Sequence, residues 1–431
     1  EPLRGCKALR ELDFKKTLLV PSDEDKARFQ DQCAPSSAVV KRMGLVVVVM
    51  ALRGHVAVAR VADAACKQLA VLCRSSGSEQ AAAELGALKA VAAAMRAHLH
   101  VAEVQKHGCK ALRDMCCGHD AAGQARRQQA AEAGALEAAA AAMQAHLHVA
   151  GVQEDGCKAL CNMCSTSDGA DAMGLARKQR AAEAGVLEVL VEAMQAHPQV
   201  TGVQGAGCGA LRNLCYGTDA AGLARKQHAA EAGALEAVAA AMQAHPQVVG
   251  VQKHGCKALR SVCGGTDAAA LARKQRAVKA GALEAVVEAM QGHLQAAWMQ
   301  EEACIILCTM CCDDDAAGLA RQQRAAKAGG VEAVVAAMQA HLYVAGVQMQ
   351  ASKALCNLCH GTDAAGLACK QRAAEAGALE AVAAALLANP QVVGVQEMGS
   401  AALSHVSYGT DAAALARKQR VVEAGGLKAV A

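Results

Sequence analysis

The sequence predicts an all-α solenoid, a row of short helices stacked as repeating units. Three observations carry this. The phrase Glu-Ala-Gly-Ala-Leu-Glu-Ala-Val recurs with its Gly at Gly233, Gly281, Gly329 and Gly377, each 48 residues after the last. A second phrase, Gly-Cys-Lys-Ala-Leu-Arg, recurs between these markers, for example at Gly108–Arg113 and Gly255–Arg260. Aromatic residues are only 1% of the 431, too few for large globular cores, so Ala- and Gly-rich backbones must pack closely. A fixed period of this length is the signature of a helical repeat array, which grows by adding units and not by enlarging one core.

The marker glycine also falls at Gly86, Gly134, Gly185 and Gly425, with Gly44 as an earlier, shorter step. The Gly134-to-Gly185 step is 51 residues, and its extra residues fall in Ser165–Met173, a polar stretch that reads as a loop tip. About eight full units follow from Gly44, with partial units at both ends. Residues 1–16 read as a partial repeat ending in a GCKALR helix. Residues 17–43 read as a loop-rich insert around a first helix, because Phe14–Met43 does not fit the period and carries Pro21, Asp23, Pro35 and Ser36. Residues 44–431 form the array, its last unit truncated. The chain starts with Glu1 inside a repeat, so it reads as a piece of a longer protein.

Each unit reads as three helices. Around Gly233, Thr218-Asp219 is an N-cap signal for a first helix over Ala220–Ala232. Gly233 ends it, since the residue after a helix often needs the left-handed conformation. The second helix is Ala234–Ala244, broken by His245-Pro246. The third lies in Gln247–Cys263, with Val251, Gly255, Leu259 and Val262 along one stripe. No helix can bury its stripe alone, so neighbouring units must stack.

Charge and cysteine usage narrow the function. The net charge is +4 from 44 basic and 40 acidic residues, with no general pull toward nucleic acid or an anionic membrane. Most of the 21 cysteines fall in two columns, such as Cys208 and Cys215 or Cys256 and Cys263, at i and i+7 of the third helix. That pattern reads as packing by small buried residues in a reducing setting, the cytoplasm with the nucleus as alternative. The apolar run Leu45–Leu52 is too short to span a bilayer. No phosphate loop, nucleophile elbow or dinucleotide fingerprint is present, so neither an enzyme nor a cofactor or small-molecule site is expected.

The residues Glu231–Leu235 and Val251–Val262 resemble the helix-one turn and the third helix of armadillo repeats, and Asn213-Leu214 and Asn357-Leu358 match the family's closing polar-Leu pair. The resemblance covers nearly all the chain outside Phe14–Met43. It implies a right-handed superhelix of three-helix repeats whose third helices line a concave groove that holds a peptide or partner protein. HEAT-type repeats are the alternative, though their two-helix unit leaves the Gly-marked first helix unexplained. Family members that bind nuclear-import peptides use Trp and Asn ladders. Here the Asn column holds Asn162, Asn213 and Asn357, and the Trp column holds Lys110, Lys158, Lys257 and Lys353 and no Trp.

The groove candidates follow from these columns. Lys110, Lys158, Lys257 and Lys353, with Arg113, Arg212 and Arg260 one turn on, would form a ladder of cations for an extended acidic peptide. Asn162, Asn213 and Asn357 would fix its backbone. Trp298 and Ile305 interrupt the polar pattern in one unit and form a candidate hot spot. The plainer alternatives are a solvated helix face copied by duplication and, for the Trp298 unit, core drift.

Three other patterns read as structural. The Arg-Lys-Gln-Arg phrase at Arg177–Arg180, Arg273–Arg276 and Arg417–Arg420 reads as a solvated first-helix face, with phosphate or RNA contact as a weaker alternative. The His column (His98, His146, His245, His293) reads as a cap on the second helix. The C-x-x-C pairs Cys161/Cys164, Cys308/Cys311 and Cys356/Cys359 lack zinc-ribbon spacing, and only adventitious metal binding near Cys116-Cys117 with His119, or Cys311-Cys312 with Asp313, is open. The reading is a non-enzymatic interaction scaffold for a protein or extended peptide, with no nucleic acid or membrane partner. The competing reading is a structural or regulatory arm of a larger enzyme, for example a kinase or ligase.

Overall fold

The computed structural model describes residues 37–74, 77–166, 172–313 and 315–426. Every regular element among them is a helix, and none is a strand. The expectations for residues 1–16 and most of 17–43 lie outside the described residues, as do the tip of the Ser165–Met173 loop and the end of the last unit.

The chain divides into two compact units, Glu1–Val189 and Leu190–Ala431. The first holds α1 Ser37–Gly54, α2 Ala59–Leu72, α3 Ser78–Glu84, α4 Ala87–Ala97, α5 Ala102–Met115, α6 Ala121–Glu132, α7 Ala135–Ala145, α8 Ala150–Met163 and α9 Ala172–Glu183. Helix α10, Val186–Ala196, carries the division. The second unit continues with α11 Thr201–Leu214, α12 Ala220–Glu231, α13 Ala234–Ala244, α14 Val249–Cys263, α15 Ala268–Lys279, α16 Ala282–Gly292 and α17 Ala297–Met310. It closes with α18 Ala316–Lys327, α19 Gly330–Ala340, α20 Ala345–Leu358, α21 Ala364–Glu375, α22 Ala378–Ala388, α23 Val393–Ser407 and α24 Ala412–Glu423. In the first unit the third helices α2, α5 and α8 stack in series; in the second, α11, α14, α17, α20 and α23 do the same.

The repeat α12–α13–α14 shows why the sequence folds this way. Asp219 caps α12, its carboxylate accepting from the Gly222 amide at 3.3 Å. Gly233 joins α12 to α13 at φ 93°, where a side chain would be strained. Gly255 has a different reason: a Cβ there would meet Met242 Cγ at 2.5 Å, so α14 lies against α13 only without one. Cys256, Ala258 and Leu259 are buried beside it, and the Leu column from Leu69 to Leu355 is fully buried. The marker Gly44 behaves unlike its siblings, since it lies inside the continuous helix α1 and ends nothing.

Each helix terminus leaves carbonyls without an intrahelical partner, and in a stacked array these are shut away from water. Three side chains meet them. Gln252 is buried in α14 and its Nε2 donates to the Met242 and His245 carbonyls, at 2.8 and 2.9 Å, at the end of α13. The same donation recurs from Gln105, Gln153, Gln204, Gln300 and Gln348. His245 Nε2 donates to the Pro198 carbonyl at 2.7 Å, 47 residues back. The histidine column therefore ties one repeat to the loop of the one before, and does not serve its own helix as the sequence suggests. Asn389 does the same toward Leu342.

The third side chain corrects the reading of Arg-Lys-Gln-Arg as a solvated face. Its first two residues are buried: Arg273 and Lys274 are 2% and 1% exposed. Arg273 Nε donates to the Val262 carbonyl at 2.8 Å and Nη2 to the Gly264 carbonyl at 3.2 Å, closing the end of α14. Its Nη1 reaches Gln227 Oε1 of the preceding first helix at 3.3 Å. Arg126, Arg225 and Arg321 make the matching Nε bond to Met115, Leu214 and Met310. A guanidinium suits this place because its fork meets several carbonyls at the negative end of a helix. The second arginine faces outward, where Arg276 pairs with Glu236 at 2.5 Å across the surface, and in the Arg417–Arg420 copy Lys418 is exposed as well.

Two tests follow. Arg273→Ala should cost about 2–4 kcal/mol in urea denaturation, because it strands buried carbonyls, while Arg276→Ala should cost about 0–1 kcal/mol as an exposed pair. Similar losses would contradict the buried-cap account. Burial pushes the Cys208 and Cys263 thiols up to about 12, whereas Cys312 is exposed. Iodoacetamide at neutral pH should therefore label Cys312 and leave Cys208 and Cys263 unlabelled until the chain is unfolded, as read by peptide mapping.

Candidate partner-binding face

The outward stripe of the third helices carries the residues singled out in the sequence. In the first unit their charges answer one another. Arg113 Nε binds its neighbour Asp114 at 2.7 Å and Nη1 binds Asp155 of α8 at 2.7 Å. Lys158 pairs with Glu154 one turn away. Lys110 and Lys158 both act on Asp155, yet burial still holds that carboxyl above its usual range. His107 meets Asp63 at 2.5 Å across α2 and α5. Asn162 Nδ2 donates to the Arg113 carbonyl at 2.9 Å, so its amide is engaged in stacking α8 on α5.

The second unit presents a different field. On α14, Lys253, His254, Lys257 and Arg260 share the outer face, and Arg212 of α11 lies beside them. Burial, then Arg212, Lys253 and Lys257, push the His254 imidazole below its ordinary value. Lys257 is pushed down too, by burial and then by Arg212. The acidic residue facing the group is Glu302 of α17, which comes within 3.1 Å of Arg260 Nε without the alignment of a hydrogen bond. Lys253 Nζ stands 5.4 Å from the centre of the Trp298 ring, which is 38% exposed. A cation over an indole face is attracted by the ring quadrupole.

The other sequence-derived residues are placed as follows. Ile305 is half-buried on α17, one turn below Thr309, whose hydroxyl donates to its carbonyl at 2.8 Å. Lys353 is exposed on α20, and Asn357 Nδ2 donates to the Cys308 carbonyl at 3.2 Å. Asn213 is half-buried on α11. The structure thus gathers Arg212, Lys257, Arg260 and Trp298 into one patch. Asn162 and Asn357 sit in helix-to-helix contacts.

Sequence reasoning missed Lys253 and His254. The signal was available: they stand four and three residues before Lys257, on the same helical face. The charge difference was less visible. Lys106–Arg113 and Lys253–Arg260 have the same eight residues, Lys-His-Gly-Cys-Lys-Ala-Leu-Arg. Their fields differ because Asp63 faces the first histidine and Arg212 stands near the second.

The metal alternatives are corrected by the same geometry. Asp313 is bound by Lys274 at 2.9 Å and Arg321 at 2.6 Å, so its carboxylate already serves two buried cations. Cys116 is fully buried. Among the described residues the one cluster of three potential ligands is Asp63, Glu103 and His107, none of them in a Cys pair. No described helix is long and apolar enough to cross a membrane.

No family model matches this chain, and no curated protein sequence does. A solved structure from work on a phosphorylation switch that controls the interaction between cadherin and beta-catenin aligns with 92% of this chain and 81% of its own. The identity is 13% and the TM-score 0.45. The fold description therefore rests on this chain's own helices.

Replacing Arg212 with Ala should raise the His254 pKa toward that of an ordinary histidine, as followed by NMR titration of the ring protons. An unmoved His254 would show that the two do not share a field.

Proposed function

We propose that the chain is a non-enzymatic scaffold of the armadillo type. In this reading the α11–α14–α17 face of its second unit docks an acidic, extended segment of a partner protein. One observation supports it above the rest. The same Lys-His-Gly-Cys-Lys-Ala-Leu-Arg phrase meets Asp63 and Asp155 in the first unit; in the second, Glu302 stands by Arg260 as Asp155 does by Arg113, but the histidine has Arg212 near it in place of an aspartate, which leaves an excess of positive charge. Clustered cations that depress one another are costly alone and favourable once an anion arrives, which is how charge complementarity selects a partner. Trp298 supplies an aromatic anchor at the edge of the same patch.

The lysine column by itself suggests a cation ladder along its whole length. The narrower patch is favoured because Arg113 holds two carboxylates, Asp114 and Asp155, and Lys158 holds Glu154, whereas Glu302 beside Arg260 is shared with Arg212, Lys253 and Lys257 gathered around it. Lys353, farther along on α20, would extend the patch for a longer peptide.

Trp298 is the sole tryptophan of the chain, so its fluorescence reports on this face. Titration with a glutamate-rich peptide at low salt should change the Trp298 emission, with an affinity that falls as salt rises. Arg212→Glu combined with Lys257→Glu should weaken binding about tenfold or more, while Lys110→Glu combined with Lys158→Glu should leave it nearly unchanged. Absence of any binding, or equal loss in both variants, would refute the assignment.

A further inference from the structure

Where most first helices bring a buried arginine to close the preceding third helix, one brings a cysteine. In the phrase Ala-Ala-Gly-Leu-Ala-Cys-Lys-Gln-Arg of α21, the arginine position is Cys369. The register recurs in several 48-residue repeats: the cysteine that ends the third helix lies opposite the residue ten positions on. Cys215 stands against Arg225, its thiol 4.0 Å from the Arg225 carbonyl, and Cys263 and Cys311 precede Arg273 and Arg321 by the same ten residues. At Cys359 that register brings thiol against thiol. The two Sγ atoms are 3.9 Å apart, and both residues are buried.

The surroundings of this pair are open in a way that suits a small reagent. Where the guanidinium stands in sibling repeats, a cavity of about 420 Å³ lies between α18 and α21, lined by Cys369 with Gln322, Leu358, Asp363 and Arg372. A second cavity of about 360 Å³ reaches Cys359 from the other side, past His360, Lys370 and Tyr408. Lys370 donates to the Gly361 carbonyl and lies near the Tyr408 ring, which fixes its charge beside the sulfurs. Either thiol can donate in this contact; the contact with Cys359, with the Lys370 and Arg372 charges, lowers the Cys369 pKa, while Cys359 itself is pushed up by Cys369 and by burial.

We propose that Cys359 and Cys369 are a peroxide-responsive pair that forms an intramolecular disulfide. Cys369 is the attacking thiolate. It takes the terminal oxygen of hydrogen peroxide, the O–O bond breaks, and the departing hydroxide takes up a proton to become water. The Cys359 sulfur then attacks the Cys369 sulfenic acid, displacing hydroxide, which takes the Cys359 proton and leaves as a second water. Two thiols and one peroxide thus give one disulfide and two waters. A disulfide needs its sulfurs about 2.05 Å apart, so the side-chain torsions must turn to close the gap. Once formed, the bond ties the middle of α21 to the end of α20, the junction that an arginine holds permanently in sibling repeats.

The test is peroxide treatment of the full folded chain, unfolding in denaturant with alkylation of the remaining thiols, and peptide mapping with and without reductant. The expected product is a Cys359–Cys369 cross-linked peptide that reductant separates, with both residues lost from the alkylated pool. Cys369→Arg restores the sibling residue and should abolish the cross-link with an unchanged circular dichroism spectrum. Should that variant misfold, Cys359→Ser supplies the second arm: Cys369 should then stop at the sulfenic acid and be captured by dimedone. Three results would overturn the proposal. These are Cys369 and Cys359 both alkylated as in untreated protein, Cys369 over-oxidised while Cys359 stays alkylatable, or cross-links spread evenly over other cysteines.

Discussion

The structure depends on one constraint: a helix that ends inside a stack must still have its last carbonyls hydrogen-bonded. An isolated helix leaves these groups to water. Here water is excluded by the helices packed around each end, so those helices must bring donors. From α5 onward a glutamine of the third helix supplies them to the second helix of its own repeat, and in most repeats the buried arginine of the following first helix supplies them to the third. The histidine column supplies a further donor across repeats. Stacking and capping are then one event, because a repeat without its successor has unsatisfied ends.

This constraint explains why charge sits in the core of an alanine-rich protein. Burying a guanidinium is costly, but the negative end of a helix and several carbonyls offset much of that cost. It also divides each first helix into two roles. The inner Arg-Lys pair is structural, while the outer arginine makes surface pairs such as Arg276–Glu236, whose contribution is small. Close packing needs the complementary device of small residues, seen where Gly255 admits Met242.

Because the core is copied from repeat to repeat, differences between repeats fall on what surrounds it. One phrase has an aspartate, Asp63, at its histidine in the first unit and Arg212 near the same histidine position in the second, although a carboxylate meets its arginine in both. A single exchange of arginine for Cys369 turns a permanent tie into a pair of facing thiols with a cavity beside them. In both cases the local sequence is ordinary, and only its cross-helix neighbour gives it a chemical character.

The sequence by itself determined the helix periods, the three-helix repeat, the Asp and Gly helix boundaries and the buried Cys and Leu columns. These are local or strictly periodic, so residue spacing and backbone preference suffice to read them. The roles of the arginine, histidine and glutamine columns were decided by tertiary structure. Their partners lie in other helices, as with Arg273 on Val262 or His245 on Pro198, and a charged phrase on an amphipathic helix looks solvated until the next helix covers it. The candidate face was half legible. Lys257, Arg260, Arg212 and Trp298 could be picked out by column, but their grouping with Lys253 and His254, and the engagement of Arg113 and Asn162 elsewhere, depend on which side chains the stack sets opposite one another.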